Sequence, residues 1–172
     1  MVPWAYPPAY DSLVSARADT GAHAILGRDL LFALIWQESK FDAAARSRSN
    51  AIGLMQLKPQ VAGALARMRR EGPAPGEAGL QDPATNLRYG RRLLDDLARS
   101  FGGQVSLILA AYNAGPASAA RWRRPETIAG EALEAELFEY AETQDYVKSI
   151  LAARQAYREL APRDVGGIAA PR

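Results

Sequence analysis

Residues 105–116 read Val-Ser-Leu-Ile-Leu-Ala-Ala-Tyr-Asn-Ala-Gly-Pro. From Val105 to Asn113 the segment is apolar nearly all round, which suits a central helix enclosed by other elements. Gly115-Pro116 ends it. The rest of the chain supplies neighbours of the same kind. Over 28–40, Leu31, Leu34 and Ile35 follow a helical stride and form one buried stripe. A helix over about 11–20 precedes it. Another starts at Pro59, where proline suits the first helical position, and turns Val61, Leu65 and Met68 inward. Asp82-Pro83 is an N-cap followed by proline, opening a helix that buries Leu87, Leu94, Leu97 and Phe101 and stops at Gly102-Gly103. The last helix, over 144–160, has Tyr146, Ile150, Leu151 and Tyr157 on its inner side. Between them, residues 72–79 (GPAPGEAG) read as a mobile loop. No sustained period-two alternation and no Asn-Gly hairpin turn is present. The expected fold class is all-α.

Length and composition agree with one such domain. The chain has 172 residues, 48% of them apolar and 23% charged, ordinary values for a globular protein. A chain of this size buries about 70% of its unfolded surface. A wholly disordered or fibrous protein is excluded, and no apolar run reaches the ~18 residues of a membrane span. The expected organisation is a domain over 1–160 and a loose tail over 161–172. Without cysteine there are no disulfides or thiolate metal sites. One histidine, His23, cannot build a His-rich metal site, so no metal and no organic cofactor is expected. Lys plus Arg is 21 against 19 acidic residues, a net charge of +2 that does not call for nucleic acid. Arginine clusters at 67, 69, 70 and at 121, 123, 124 read as solvated helix faces. The start, MVPWAYPPAY, lacks the charged opening and apolar stretch of a signal peptide. Either the protein stays inside, or export uses a segment missing from this chain.

The residue that does not belong is Glu38. The stripe of Leu31, Leu34 and Ile35 continues to positions 38 and 39, and a glutamate stands there. Cores avoid a carboxylate unless it is paired or useful. Desolvation favours the protonated form and raises the pKa. A glutamate raised to about 6–7 can act as a general acid near neutral pH. The bland alternative is a helix-end carboxylate pointing into water or pairing with Arg46 or Lys40. Ser47, Gln56, Tyr112 and Asn113 likewise admit both a functional and a merely structural reading.

Taken together these residues resemble a family. Glu38-Ser39-Lys40-Phe41, GLMQ at 53–56 and AYNAG at 111–115 resemble, in order and spacing, the soluble, lysozyme-like lytic transglycosylases. DPATNLRYG at 82–90 is similar to the family's linking segment, and residues 142–147 to its E-T-x-x-Y-V motif. The Tyr-Pro segment at 6–10 resembles one that often precedes the catalytic domain. The resemblance covers about residues 6–158. It implies a lysozyme-like helical domain with a glycan-binding groove. It implies Glu38 as the single catalytic acid, with Ser47 near the reacting sugar and Gln56 lining the groove. It places Tyr112 and Asn113 facing acid and sugar, Glu142 positioning substrate, and Tyr146 as the aromatic of the last motif, partly core. Where members often carry a second methionine, this chain has Lys58.

Glycosidases ordinarily use two carboxylates. The resemblance supplies one, and Asp42, four residues on, reads as a capping or surface residue. In the family the acid protonates the glycosidic oxygen, the sugar's N-acetyl group assists, and the C6 hydroxyl closes a 1,6-anhydro ring. The substrate implied is peptidoglycan, acted on by a monomer in the periplasm or cell envelope, or in a phage particle. Tyr112 and Trp122 could stack on sugars, and Trp122 equally could anchor the core. The rival readings are a goose-type lysozyme and an inactive peptidoglycan-binding or assembly module.

Overall fold

The computed structural model describes residues 10–15, 26–123 and 130–160. Among them every named element is a helix: α1 (Asp11–Ser15), α2 (Arg28–Ser39), α3 (Pro59–Arg69), α4 (Glu77–Gln81), α5 (Pro83–Ser100), α6 (Val105–Ala114), α7 (Pro116–Trp122), α8 (Glu131–Ala135) and α9 (Ala141–Leu160). Isolated bridges join Arg46 to Ile52 and Ile52 to Leu57 in the loop between α2 and α3. His23, residues 16–20 of the expected first helix, the Tyr-Pro segment before Tyr10, Arg124 and the 161–172 tail lie outside the described residues.

The apolar segment of 105–113 takes the central place. Every residue of α6 from Val105 to Ala111 is buried, and α5, α7, α8 and α9 all pack on it. α2 lies along α9, tied at one end by Asp29, which accepts from Arg154 at 2.9 Å and from Arg158. Arg28 holds α1 through Asp11. Buried Ser106 of α6 donates to Glu134 of α8.

Local chemistry sets the helix boundaries. Asp82 caps α5 by accepting from the Thr85 N–H at 2.8 Å, with Pro83 in the first turn. Pro59 opens α3. α2 stops because Lys40 (φ 53°) and Phe41 (φ 66°) both turn left-handed.

Four expectations change. Met68 is 73% exposed, because the buried face of α3 is Ala62, Gly63, Leu65 and Ala66. Met68 falls beside that face at the end of the helix. Residues 72–79 are not wholly loop: Glu77 begins α4, which buries Leu80. α9 starts at Ala141, so Glu142 and Thr143 are helical. α7 and α8, too short to show a period, were not anticipated.

Candidate active site

Glu38 occupies the last turn of α2, where the left-handed residues Lys40 and Phe41 break the helix directly behind it. Ser39, not Glu38, takes the buried place on the stripe, at 9% exposure. Its Oγ donates to the carbonyls of Leu54, at 2.8 Å, and Ile35, at 3.2 Å. That leaves Glu38 half-buried, with Oε1 accepting from the hydroxyl of Tyr146 on α9. Burial pushes the Glu38 carboxyl up to about 7. The Tyr146 hydrogen bond and the Lys40 ammonium act against that rise. Among the described residues, the groups acting on Glu38 are thus a phenol and an ammonium, not a second carboxylate. Lys40 stands 3.1 Å above the centre of the Trp36 ring, and burial, partly offset by Glu38, lowers its pKa.

Two phenols share this neighbourhood. Burial raises Tyr146 and Tyr112 well above the usual phenol range, and the Glu38 charge adds to both shifts. Both therefore stay protonated and serve as donors. Tyr146, 8% exposed, spends its proton on Glu38. Tyr112 spends its proton on the Met55 carbonyl, at 2.7 Å. The phenol on the acid is therefore Tyr146, while the Tyr112 hydroxyl holds a loop.

That loop, the GLMQ segment, is pinned by three helices. Ser39 of α2 reaches Leu54, and Tyr112 of α6 reaches Met55. Asn86 of α5, fully buried, accepts from the Met55 N–H at 2.8 Å. Asn86 also donates to the carbonyls of Ile52, at 2.8 Å, and Leu80, at 2.7 Å. Two glycines make the approach possible. A Cβ on Gly53, which sits at φ +78°, would lie 2.3 Å from the Leu80 oxygen and 2.4 Å from Asn86 Nδ2. One on Gly90 would lie 2.1 Å from the Met55 sulfur. Gln56 is left-handed (φ 46°), and its Nε2 donates to the carbonyls of Gly53, at 2.9 Å, and Ala45, at 3.1 Å. Its amide nitrogen thus braces the loop.

The remaining predicted residues distribute as follows. Ser47 Oγ accepts from the Ala51 N–H and shares a hydrogen bond with Ser49, both at 3.0 Å. Asn113 is exposed at the end of α6, its Oδ1 accepting from Thr143 Oγ1 at 2.7 Å. Glu142 is exposed in the first turn of α9. Lys58 is exposed at the N-cap of α3. Asp42 caps a turn, accepting from the Ala44 N–H at 2.8 Å. Trp122 is no sugar platform: it is 6% exposed, stacked on Phe138 and edge-on to Tyr140, each at 5.0 Å. In the arginine clusters, Arg69 pairs with Asp96, Arg121 reaches the Tyr140 hydroxyl and Arg123 the Ser100 carbonyl. No group of three or more His, Cys, Asp or Glu among the described residues could hold a metal ion. No helix there is long and apolar enough to cross a membrane.

Ser39, Asn86 and Thr143 also build the site, beside the residues that the motifs mark. Each is a polar side chain at a buried helical position, which is the signal that could have marked it.

Residues 22–133 match the model of the transglycosylase SLT domain family. The chain is 30% identical over 154 residues to the soluble lytic murein transglycosylases of Salmonella typhimurium and Escherichia coli. Those matches cover 89% of this chain and 23% of each relative. Among solved structures it resembles an inactive Glu-to-Gln mutant of the lytic transglycosylase Slt from Pseudomonas aeruginosa, with a TM-score of 0.77 at 29% identity. It also resembles the 70 kDa soluble lytic transglycosylase of Escherichia coli, with a TM-score of 0.75 at 29% identity. Both cover 90% of this chain and 25% of theirs. A 70 kDa soluble lytic transglycosylase in complex with bulgecin A superposes with a TM-score of 0.73 at 28% identity. The fold is thus the all-α, lysozyme-like one, and the chain spans about a quarter of the length of these relatives.

Proposed function

This chain belongs to the transglycosylase SLT domain family, and on that premise we propose that it is a lytic transglycosylase of peptidoglycan acting in the cell envelope as a monomer. Glu38 is the only acid the reaction needs. The observation that carries this reading is a half-buried carboxyl, raised to about 7, whose hydrogen-bond partner is a phenol and not a carboxylate. Such a group is poised to give a proton and take one back near neutral pH. The inactive Glu-to-Gln mutant of the Pseudomonas aeruginosa relative is consistent with one indispensable carboxyl.

The chemistry closes with one acid. The protonated Glu38 delivers its proton to the glycosidic oxygen of the β-1,4 bond between N-acetylmuramic acid and N-acetylglucosamine. As the bond from the anomeric carbon to that oxygen breaks, the muramic acid's own N-acetyl oxygen bonds to the anomeric carbon. The Glu38 carboxylate, held by Tyr146, then accepts the proton of the C6 hydroxyl. The C6 oxygen attacks the anomeric carbon, the N-acetyl oxygen leaves, and a 1,6-anhydro ring results. Water is neither added nor lost, and Glu38 ends protonated again. Proximity favours the internal hydroxyl over bulk water.

The other residues divide the binding. Asn113 holds the glycan, Glu142 positions it, and Ser47 meets it from the loop. Tyr112 and Gln56 act through the loop they brace, and Tyr146 orients the acid. No metal or organic cofactor enters.

Mass spectrometry of digested peptidoglycan tests the proposal. Wild type releases muropeptides ending in 1,6-anhydro-muramic acid, and Glu38→Gln, folded, loses about 100-fold or more of that activity. Products heavier by one water would instead make the protein a lysozyme with the same acid. Binding without any product would make it a peptidoglycan-binding module.

A further inference from the structure

Asn113 is exposed, but its amide is not free to turn. Thr143, 2% exposed in the first turn of α9, donates its hydroxyl proton to Asn113 Oδ1 at 2.7 Å. An asparagine amide has one acceptor end and one donor end. With the acceptor end committed to Thr143, the end left for the solvent side is the NH2 group. The opposite orientation would bring the NH2 against Thr143 and turn the carbonyl outward. A threonine hydroxyl can accept from that NH2, but its buried proton would then lose Asn113 Oδ1, the acceptor it has among the described residues.

We propose that Thr143 is a positioning residue that sets the hydrogen-bond polarity of Asn113, so that Asn113 donates to an acceptor oxygen of the glycan. The acceptor is of the carbonyl class found in an N-acetyl group. This rests on the proposed glycan-cleaving function and adds a specificity determinant to it. Thr143 lies one helical turn before Tyr146, the partner of Glu38. The same stretch of α9 therefore orients both the acid and the amide. Glycans whose N-acetyl groups are replaced by free amines, which are cationic donors at neutral pH, face the NH2 of Asn113 as donor against donor and are rejected.

The test is a steady-state comparison on purified peptidoglycan, with release of 1,6-anhydro products as the rate. Thr143→Val keeps the shape and removes the hydroxyl, and Thr143→Ser restores a hydroxyl. The cost of a lost neutral hydrogen bond translates to a KM rise of about 3- to 10-fold for Thr143→Val, with kcat nearly unchanged. Thr143→Ser returns KM towards wild type. In parallel, N-acetylglucosamine oligomers and their de-N-acetylated counterparts are titrated onto Glu38→Gln, following the Asn113 side-chain NH2 signals by NMR. Only the acetylated oligomers should shift those signals, and the Thr143→Val change should weaken that response. A KM for Thr143→Val equal to wild type, or equal preference for both oligomers, overturns the proposal, as does a serine variant no better than valine. These outcomes are separable from failure of the proposed function, in which wild type itself yields no anhydro product.

Discussion

Glu38 is one carboxyl under two opposed influences. Burial raises its pKa to about 7, and Tyr146 stabilises its ionised form by donating to it. Activity that begins with proton donation should fall as pH rises through about 7. Tyr146→Phe removes a donor to the carboxylate, so the Glu38 pKa rises further. The falling limb of the kcat/KM profile then moves to higher pH by about one unit, while the rate drops because the acid is less well oriented. A pH profile of both proteins checks this, and an unmoved or downward-moved limb contradicts it. The same carboxyl bears on stability. A group whose folded pKa lies above its unfolded value of 4.5 favours folding fully only below that value, and the benefit is lost as pH rises through 7. Glu38→Gln, which carries no charge at any pH, should therefore gain on wild type between pH 5 and pH 9. The gain reaches on the order of 2–3 kcal/mol. Thermal unfolding at the two pH values measures it, and an equal Tm difference at both pH values tells against it.

At the scale of elements, the GLMQ loop is held by side chains from three helices as well as by its own bridges. Asn86 makes three of those bonds from a fully buried position. Asn86→Ala leaves the Met55 N–H and the Leu80 carbonyl unpaired where no solvent reaches, while the Ile52 carbonyl keeps the Leu57 N–H. It should cost about 3–5 kcal/mol and lower the denaturation midpoint accordingly. A loss below about 1 kcal/mol would mean the loop is held elsewhere. Several elements were legible beforehand because their chemistry is local. Asp82-Pro83 marked the start of α5, and Gly115-Pro116 the end of α6. Met68 was misread because α3 buries a face of alanines and a glycine, whose small side chains give a weak periodic signal. The early start of α9 was missed for a similar reason: Ala141, Glu142 and Gln144 carry no apolar stripe.

For the whole molecule, the pairing of α2 with α9 brings Glu38 and Tyr146 together across 108 positions of sequence. The far end of that pairing is the ion cluster of Asp29 with Arg154 and Arg158, only partly exposed to water. Burial raises the Asp29 carboxyl, and the two guanidinium groups more than reverse this, so its pKa is lowered. A depressed carboxylate contributes stability that is present above its unfolded pKa of 3.8 and lost as pH falls through the folded value. Asp29→Asn should therefore cost about 1–3 kcal/mol at pH 7. The difference from wild type should shrink towards pH 2, read from chemical denaturation at each pH. A penalty that is the same at both ends would assign Asp29 a role other than pairing.

By itself, the sequence determined the helical class, the central place of 105–113 and the anomaly of Glu38. These follow from hydrophobic period, from proline and glycine punctuation, and from the cost of burying a carboxylate, all of which act over a few residues. It carried the order of the motifs, and with it the family. The tertiary structure alone decided which hydroxyl goes where. Tyr112 and Tyr146 both set a phenol near the same charge, and nothing local distinguishes them. Packing turns one onto a loop carbonyl and the other onto the acid. It also buried Trp122 among aromatic rings and placed Thr143 against Asn113. A hydrogen bond is short-ranged and directional, so its partner is set by how helices far apart in sequence come to rest against one another.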